Sequence, residues 1–146
     1  MAKNNILSIC SFNSTGFGFA SQNYMDKLLL CSDILCVQEH FLLDCKNKNY
    51  SNTDKLKEKF NDLHDMYIIP AVKDQNQVTK GRGIGGVATI WKKCLTKYVS
   101  KTESNNPRIQ STLFELPECP LLIINVYFPC DPRTNQYDLG GLINLL

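Results

Sequence analysis

Residues 121–128, Leu-Leu-Ile-Ile-Asn-Val-Tyr-Phe, are apolar at almost every position, and a single asparagine is set among them. A run apolar on both faces needs cover on both sides, so it reads as a strand inside a layered structure. Asn125 inside that strand must find hydrogen-bond partners or cost on the order of 1–3 kcal/mol. The run ends at Tyr127, and Pro129 closes it. Two other stretches end in the same way. Ile6 to Phe12 delivers Asn13, and Asp33-Ile34-Leu35-Cys36-Val37 delivers Gln38-Glu39 and then His40-Phe41. Three apolar strands thus each present a polar side chain at the C-terminal end, which predicts a site on one rim of a sheet. Strand alternation puts Leu7, Ile9, Ser11 and Asn13 on one face of their strand. Leu35, Val37 and Glu39 share a face of theirs, as do Leu121, Ile123, Asn125 and Tyr127. One carboxylate with Asn and Tyr helpers suits a Mg²⁺ gripping a phosphate better than it suits acid–base chemistry between paired carboxylates.

The rest of the chain alternates elements in an α/β order. Ser21 caps a predicted helix over about 22–31, with Tyr24, Leu28 and Leu29 on its apolar face. Residues 33–38 are a strand, 46–52 a polar loop, and Thr53 or Asp54 opens a second helix to about Leu63. Met66 to Val72 reads as a short strand ended by Pro70, and 73–84 as a polar, glycine-rich loop. Gly85 to Trp91 is a strand, paired by hairpin with 95–101. Arg108 to Leu116 alternates, with Ile109, Leu113 and Phe114 set against Gln110, Ser111 and Thr112. Residues 121–128 are expected to be fully buried. Asn135 to Leu146 begins a helix weakened by Gly140 and Gly141.

At 146 residues and 43% hydrophobic content, the chain fits one domain with a real core. A net charge of +2 gives little support to nucleic-acid binding by charge alone, and Lys80 with Arg82 and Lys92 with Lys93 read as solvated surface. Seven cysteines form no Cys-x-x-Cys pair, and two histidines have no zinc spacing. This pattern reads as free thiols in a reducing, intracellular compartment, nuclear or cytoplasmic. No signal peptide and no membrane-spanning run is evident. Gly81-Arg82-Gly83-Ile84-Gly85-Gly86 formally matches Gly-x-Gly-x-x-Gly. A strand rather than a helix follows it, so a dinucleotide site is rejected in favour of a tight turn into a packed strand. His40 is turned by alternation away from Glu39, and His64 ends a polar helix at the surface.

Four motifs in register carry a resemblance. Ser11-Phe12-Asn13 with Gly16-Phe17, Leu35 to His40, Gly81-Arg82-Gly83 to Ala88, and Asn125-Val126-Tyr127-Phe128-Pro129 occur in the order and spacing of the endonuclease/exonuclease/phosphatase superfamily. The chain most resembles the N-terminal endonuclease domain of non-LTR retrotransposon reverse transcriptases. The resemblance implies a DNase-like four-layered α/β sandwich, with two facing, mainly antiparallel sheets flanked by helices. It also implies hydrolysis of a phosphodiester with Mg²⁺ or Mn²⁺. Glu39 would ligate the metal. Asn13 would hold Glu39 or a water of the metal and touch the phosphate. Tyr127 would meet the scissile phosphate or its leaving oxygen, and Asn125 would brace the rim and help bind substrate.

Relatives carry an Asp-x-Asn motif after the Asn-x-Tyr-x-Pro strand and a later Asp-His pair. Neither follows Pro129 here, and Cys130 stands where many relatives have Asn. The expectation is therefore a partial domain over 1–146, the N-terminal half of the sandwich, inactive by itself. Its intact parent would act on DNA, and its uncovered sheet face would promote self-association. The alternatives are another phosphodiesterase or phosphatase of the same superfamily, or a non-catalytic relic or binding module.

Overall fold

A computed structural model describes residues 6–44, 52–73, 83–101, 104 and 106–128. Strand β1 (Ile9–Asn13) leads through helix α1 (Phe19–Cys31) to β2 (Ile34–Gln38). Helix α2 (Asp54–Phe60) is followed by β3 (His64–Ile69), β4 (Val72–Lys73), β5 (Gly83–Ile84) and β6 (Val87–Lys92). A 3-10 helix, Lys93–Tyr98, carries the chain to β7 (Val99–Lys101), β8 (Ile109–Phe114) and β9 (Leu121–Val126).

All five residues of β2 are buried, as a central strand of β-branched and apolar residues requires. It pairs in parallel with β1 and antiparallel with β6, whose other edge takes β3, giving the order β1-β2-β6-β3. Alternation then splits β2 between two cores. Leu35 and Val37 join Met25 and Leu29 of α1, Leu56 and Phe60 of α2, and Ala88 and Ile90 of β6. Met25 and Leu29 are four apart, so one stripe of α1 covers the sheet. Ile34 and Cys36 face the other way, packing with Trp91, Phe114 and Ile123 against a second sheet of order β7-β8-β9. Trp91 and Phe114 meet edge to face with ring centroids 5.8 Å apart, a favoured aromatic geometry.

A helix layer, a four-stranded sheet and a three-stranded sheet therefore stack in that order among the described residues, the mixed α/β layering expected. Within the second sheet, β8 lies over β6 and β9 over β2. The inward-facing residues of β1, namely Ile9, Ser11 and Asn13, stay exposed. The two sheets thus gape on the side where β1 and β9 are the outer strands.

Several sequence expectations are corrected. Residues 95–101 do not form a hairpin with the strand at 87–92, because β2 and β3 already occupy both edges of β6. The 3-10 helix instead moves the chain to the second sheet, anchored where Trp91 Nε1 donates to Thr96 Oγ1 at 3.1 Å. β8 buries Gln110, Thr112 and Phe114 and leaves Ile109, Ser111 and Leu113 half-buried, the reverse of the polar-out reading at 110 and 112. β9 is not buried on both faces. Leu122 and Ile124 are 55% and 54% exposed, since no described element covers the outer face of the second sheet.

α1 begins at Phe19 rather than near 22. Gly18 is the capping position, and Ser21 acts from inside the first turn, its Oγ accepting from Gly18 N at 3.1 Å and donating to Gly16 O at 2.8 Å. α2 stops at Phe60, and His64 opens β3 instead of ending a helix. The expected 66–72 strand divides into β3 and the short β4, which pairs with β5. The loop expected at 46–52, the basic pair Lys80 and Arg82, and the helix expected from Asn135 lie wholly or largely outside the described residues.

Candidate functional site

The rim is assembled from below by one buried amide pair. By alternation Gln38 turns from the helix side into the space between the sheets, and Asn125 of β9 faces it. Gln38 Nε2 donates to Asn125 Oδ1 at 2.7 Å and to Ser11 Oγ at 3.0 Å. Asn125 Nδ2 donates in turn to Val37 O at 3.1 Å and Ala88 O at 3.0 Å. These bonds join β1, β2, β6 and β9 at their shared end and answer the partner demand that Asn125 raises in the sequence. A second bridge lies deeper. Thr89 Oγ1 donates to Gln110 Oε1 at 2.6 Å, and Gln110 Nε2 donates to Tyr67 O at 2.8 Å. Thr112 Oγ1, two residues along the same strand, is buried and has no hydrogen-bond partner among the described residues.

Above that clamp the loop after β1 is laced to the end of β2. Asn13 stands opposite Gln38 in the parallel register. Ser14 donates to Gln38 O from both N and Oγ, each at 2.9 Å, and Gly16 N donates to Glu39 O at 2.7 Å. Asn13 is exposed, and its Oδ1 accepts from Thr15 N at 3.0 Å and Thr15 Oγ1 at 3.3 Å. That leaves the donor end of the amide as the group suited to an anion.

Glu39 is half-buried with φ +55°, and Phe41 follows at +57°. These left-handed values cost a non-glycine residue on the order of 1–3 kcal/mol and persist where the surroundings over-determine them. Backbone bonds from His40 N to Gly86 O (3.3 Å) and from Phe41 N to Gly85 O (3.1 Å) do so here. Alternation along β2 would have put Glu39 with Leu35 and Val37 on the helix side. The left-handed turn ends that alternation just where the strand stops. Tyr127 lies one residue past β9, half-buried, its N donating to Arg108 O at 2.8 Å.

Asn13, Glu39 and Tyr127 therefore stand at the ends of three strands tied together by Gln38 and Asn125. Asn125 itself is 2% exposed, and its amide is committed to Gln38, Val37 and Ala88. Its position is that of a brace, with no amide atom left over for a substrate. Gln38 has a role that the apolar pattern of β2 does not announce: it ties β1 to β9. The available signal was a glutamine opposite in phase to Leu35 and Val37 within a buried strand. A cleft of ≈ 270 Å³ opens beside the clamp, lined by Ile9, Ser11, Gln38 and Ile124 among others.

His40 is buried and belongs to the support. Leu42 N donates to its Nδ1 at 3.0 Å, which leaves the proton on Nε2, 3.2 Å from Ile69 O. Burial pushes its pKa down to about 4, so the ring is neutral at physiological pH. The glycine run packs against it. A Cβ at Gly86, where φ is +87°, would lie 2.5 Å from the imidazole Cε1, and one at Gly83 would lie 2.5 Å from Ala71 Cβ. These glycines permit close approach, and β6 rather than a helix follows them.

Among solved structures, a crystal structure with this layering is that of the AP endonuclease LMAP from Leishmania major. The chain shares its fold with that enzyme. The two superpose with a TM-score of 0.53 at 17% identity, over 83% of this chain and 40% of the other. The chain thus spans 40% of the length of that neighbour. No family model matches the chain. No curated protein matches it either. At this identity the likeness establishes the DNase-like α/β fold.

Among the described residues no three His, Cys, Asp or Glu side chains cluster as metal ligands. Mg²⁺, however, keeps several waters and is commonly held by one or two carboxylates together with a substrate phosphate. Glu39, half-buried one residue past the Gln38 that stands opposite Asn13, is a lone carboxylate of the kind such a site uses. No helix among the described residues is long and apolar enough to cross a membrane.

Proposed function

We propose that the chain is part of a divalent-metal-dependent phosphodiester hydrolase, a DNA endonuclease of the retroelement type, and that residues 1–146 carry half of its site. The observation that supports the reading is the tie from Gln38 to Ser11 and Asn125, which joins the ends of the three strands that Asn13, Glu39 and Tyr127 follow or close. The retroelement assignment rests on motif spelling alone, Gln38-Glu39-His40 and the glycine run into Val87-Ala88.

In this reading Glu39 is the carboxylate that holds Mg²⁺ or Mn²⁺. The bound ion would neutralise phosphate charge and acidify a water. Asn13 donates its amide N–H to a phosphate oxygen, and Tyr127 offers its hydroxyl at the scissile phosphate or the leaving oxygen. Asn125 braces them from beneath. The Asp-x-Asn and Asp-His motifs that position and deprotonate the nucleophile in relatives do not follow Pro129 within these residues. The 146-residue chain is therefore proposed to bind metal and phosphate without nicking DNA.

The test has two parts. Isotope-labelled protein titrated with Mg²⁺ should shift the Glu39 and Asn13 amides saturably, and Glu39→Ala should abolish the response. Supercoiled plasmid incubated with the chain and Mg²⁺ should remain intact. Metal-dependent nicking that vanishes in Glu39→Ala would overturn the inactivity claim while keeping the site.

The second reading is a non-catalytic phosphate-binding module, for which the exposed Asn13 amide would serve without a metal. Phosphate binding that needs neither metal nor Glu39 would select it. Another phosphodiesterase of the same fold would be separated by the downstream reading frame, since a reverse-transcriptase domain there points to DNA.

A further inference from the structure

We infer that Gln38 is a positioning residue for the rim, the group that transmits the alignment of the second sheet to Glu39. The inference rests on Glu39 being the metal ligand.

Gln38 holds every strand that reaches the site. Its side chain reaches Ser11 on β1 and Asn125 on β9, and its backbone oxygen takes both bonds of Ser14. The next residue is Glu39, in its left-handed conformation. Any shift of the clamp therefore passes through one peptide to the carboxylate. Through Ser14 it passes equally to the Asn13 loop. Tyr127 is two residues from Asn125 and receives the same constraint from the other sheet.

The polarity of the clamp is fixed in one sense. Asn125 Nδ2 faces two carbonyl oxygens, Val37 O and Ala88 O, so its amide cannot rotate without setting Oδ1 against both. Asn125 therefore always presents an acceptor to residue 38. Only a donor answers it. Glutamine supplies one at every pH, whereas glutamate, of the same shape, supplies none when ionised, so the comparison is made at a pH where residue 38 carries its charge. This makes Gln38→Glu a sharp test, because it conserves volume while reversing the hydrogen-bond sense and adding a charge.

The experiment compares wild type, Gln38→Glu and the milder Ser11→Ala, which removes only the exposed β1 end of the clamp. Three quantities are read: the Mg²⁺ dissociation constant from the Glu39 amide shift, the hydrogen-exchange rates of the Ser14 and Gly16 amides, and the exchange of core amides in β3 and β6. For Gln38→Glu the expected result is Mg²⁺ binding weakened about tenfold or more, although the added carboxylate would by charge alone attract the ion. Exchange at Ser14 and Gly16 should rise at least tenfold while β3 and β6 stay protected. Ser11→Ala should move the same readouts in the same direction by less.

Wild-type affinity and wild-type exchange at Gly16 in a folded Gln38→Glu protein would overturn the inference. If Gln38→Glu fails to fold, Ser11→Ala decides: unchanged Mg²⁺ affinity and Gly16 exchange there refute the positioning role. If wild type shows no Mg²⁺ response at all, the metal reading has failed. The exchange data then still report whether Gln38 couples the two sheets to the Glu39 turn, and rates unchanged from wild type would refute that too.

Discussion

His40 fills the space that a side chain at Gly86 would need. Gly86→Ala would drive a methyl into the imidazole at a backbone angle that L-residues avoid. Strain and overpacking together should cost about 3 kcal/mol or more, read as a lowered urea midpoint at unchanged slope. His40 itself links stability to pH. Its pKa falls from 6.5 to about 4 on folding because burial disfavours the cation. Between those values the unfolded chain binds a proton that the folded chain does not. Stability is therefore fully present above about pH 6.5 and is lost as pH falls toward 4. Between pH 7 and pH 5 the loss assigned to His40 is about 2 kcal/mol. Urea unfolding at the two pH values should show it, and the difference should shrink in His40→Gln. A pH-independent difference between wild type and variant would refute the assignment. At this scale the sequence was informative where a residue conflicted with its neighbours. Asn125 in an apolar run announced its need for partners. Gln38 stood equally out of place but looked like part of a motif rather than part of a bond.

Along β8 the inward face carries two polar residues, and only one of them is satisfied. Gln110 bridges to Thr89 and Tyr67, whereas the hydroxyl of Thr112 is buried with no partner among the described residues. Valine has the same branched shape without the polar atom. Thr112→Val should stabilise the protein by about 1 kcal/mol, because a desolvated and unbonded hydroxyl is removed. A destabilised Thr112→Val in thermal or urea unfolding would show that the hydroxyl is answered after all. The same strand explains why part of the fold was hard to read. A polar seam between two sheets reverses the usual inference from alternation, so Gln110 and Thr112 looked like surface. The strands that lie next to helices were easier, since Leu35, Val37, Ala88 and Ile90 obey the ordinary apolar rule. The false hairpin after β6 has a similar cause. Sequence proximity suggested a partner for β6, but edge availability is a tertiary property, and both edges were taken.

For the molecule as a whole, the open side of the sandwich dominates. Ile9, at 46% exposure, and Ile124 flank the cleft, and Leu122 lies on the same outer face of the second sheet as Ile124. Apolar surface of this kind drives association in water. Sedimentation velocity should reveal concentration-dependent oligomers, and Leu122→Lys with Ile124→Lys should shift them to monomer while the two cores stay intact. A wild-type chain that remains monomeric at high concentration would refute this. The layered fold and the rim were legible because both follow from apolar runs and from what ends them. The exposure of β9 was not, because the cover over a strand is set by elements remote from it.

The parallel pairing of β1 with β2, and the addition of β9 only through the second sheet, also give the molecule a direction in time. The first sheet is complete once Lys92 has been made, whereas the partner of Gln38 is Asn125. At the usual pace of about 5–20 residues per second, a growing chain spends roughly 2–7 s with its first sheet available and that glutamine unanswered. During that interval the amide is hydrated and the turn holding Glu39 lacks its far anchor. Among the described residues the rim is thus completed only after the first sheet, and errors of synthesis after residue 92 fall on the clamp beneath it before they fall on the first core.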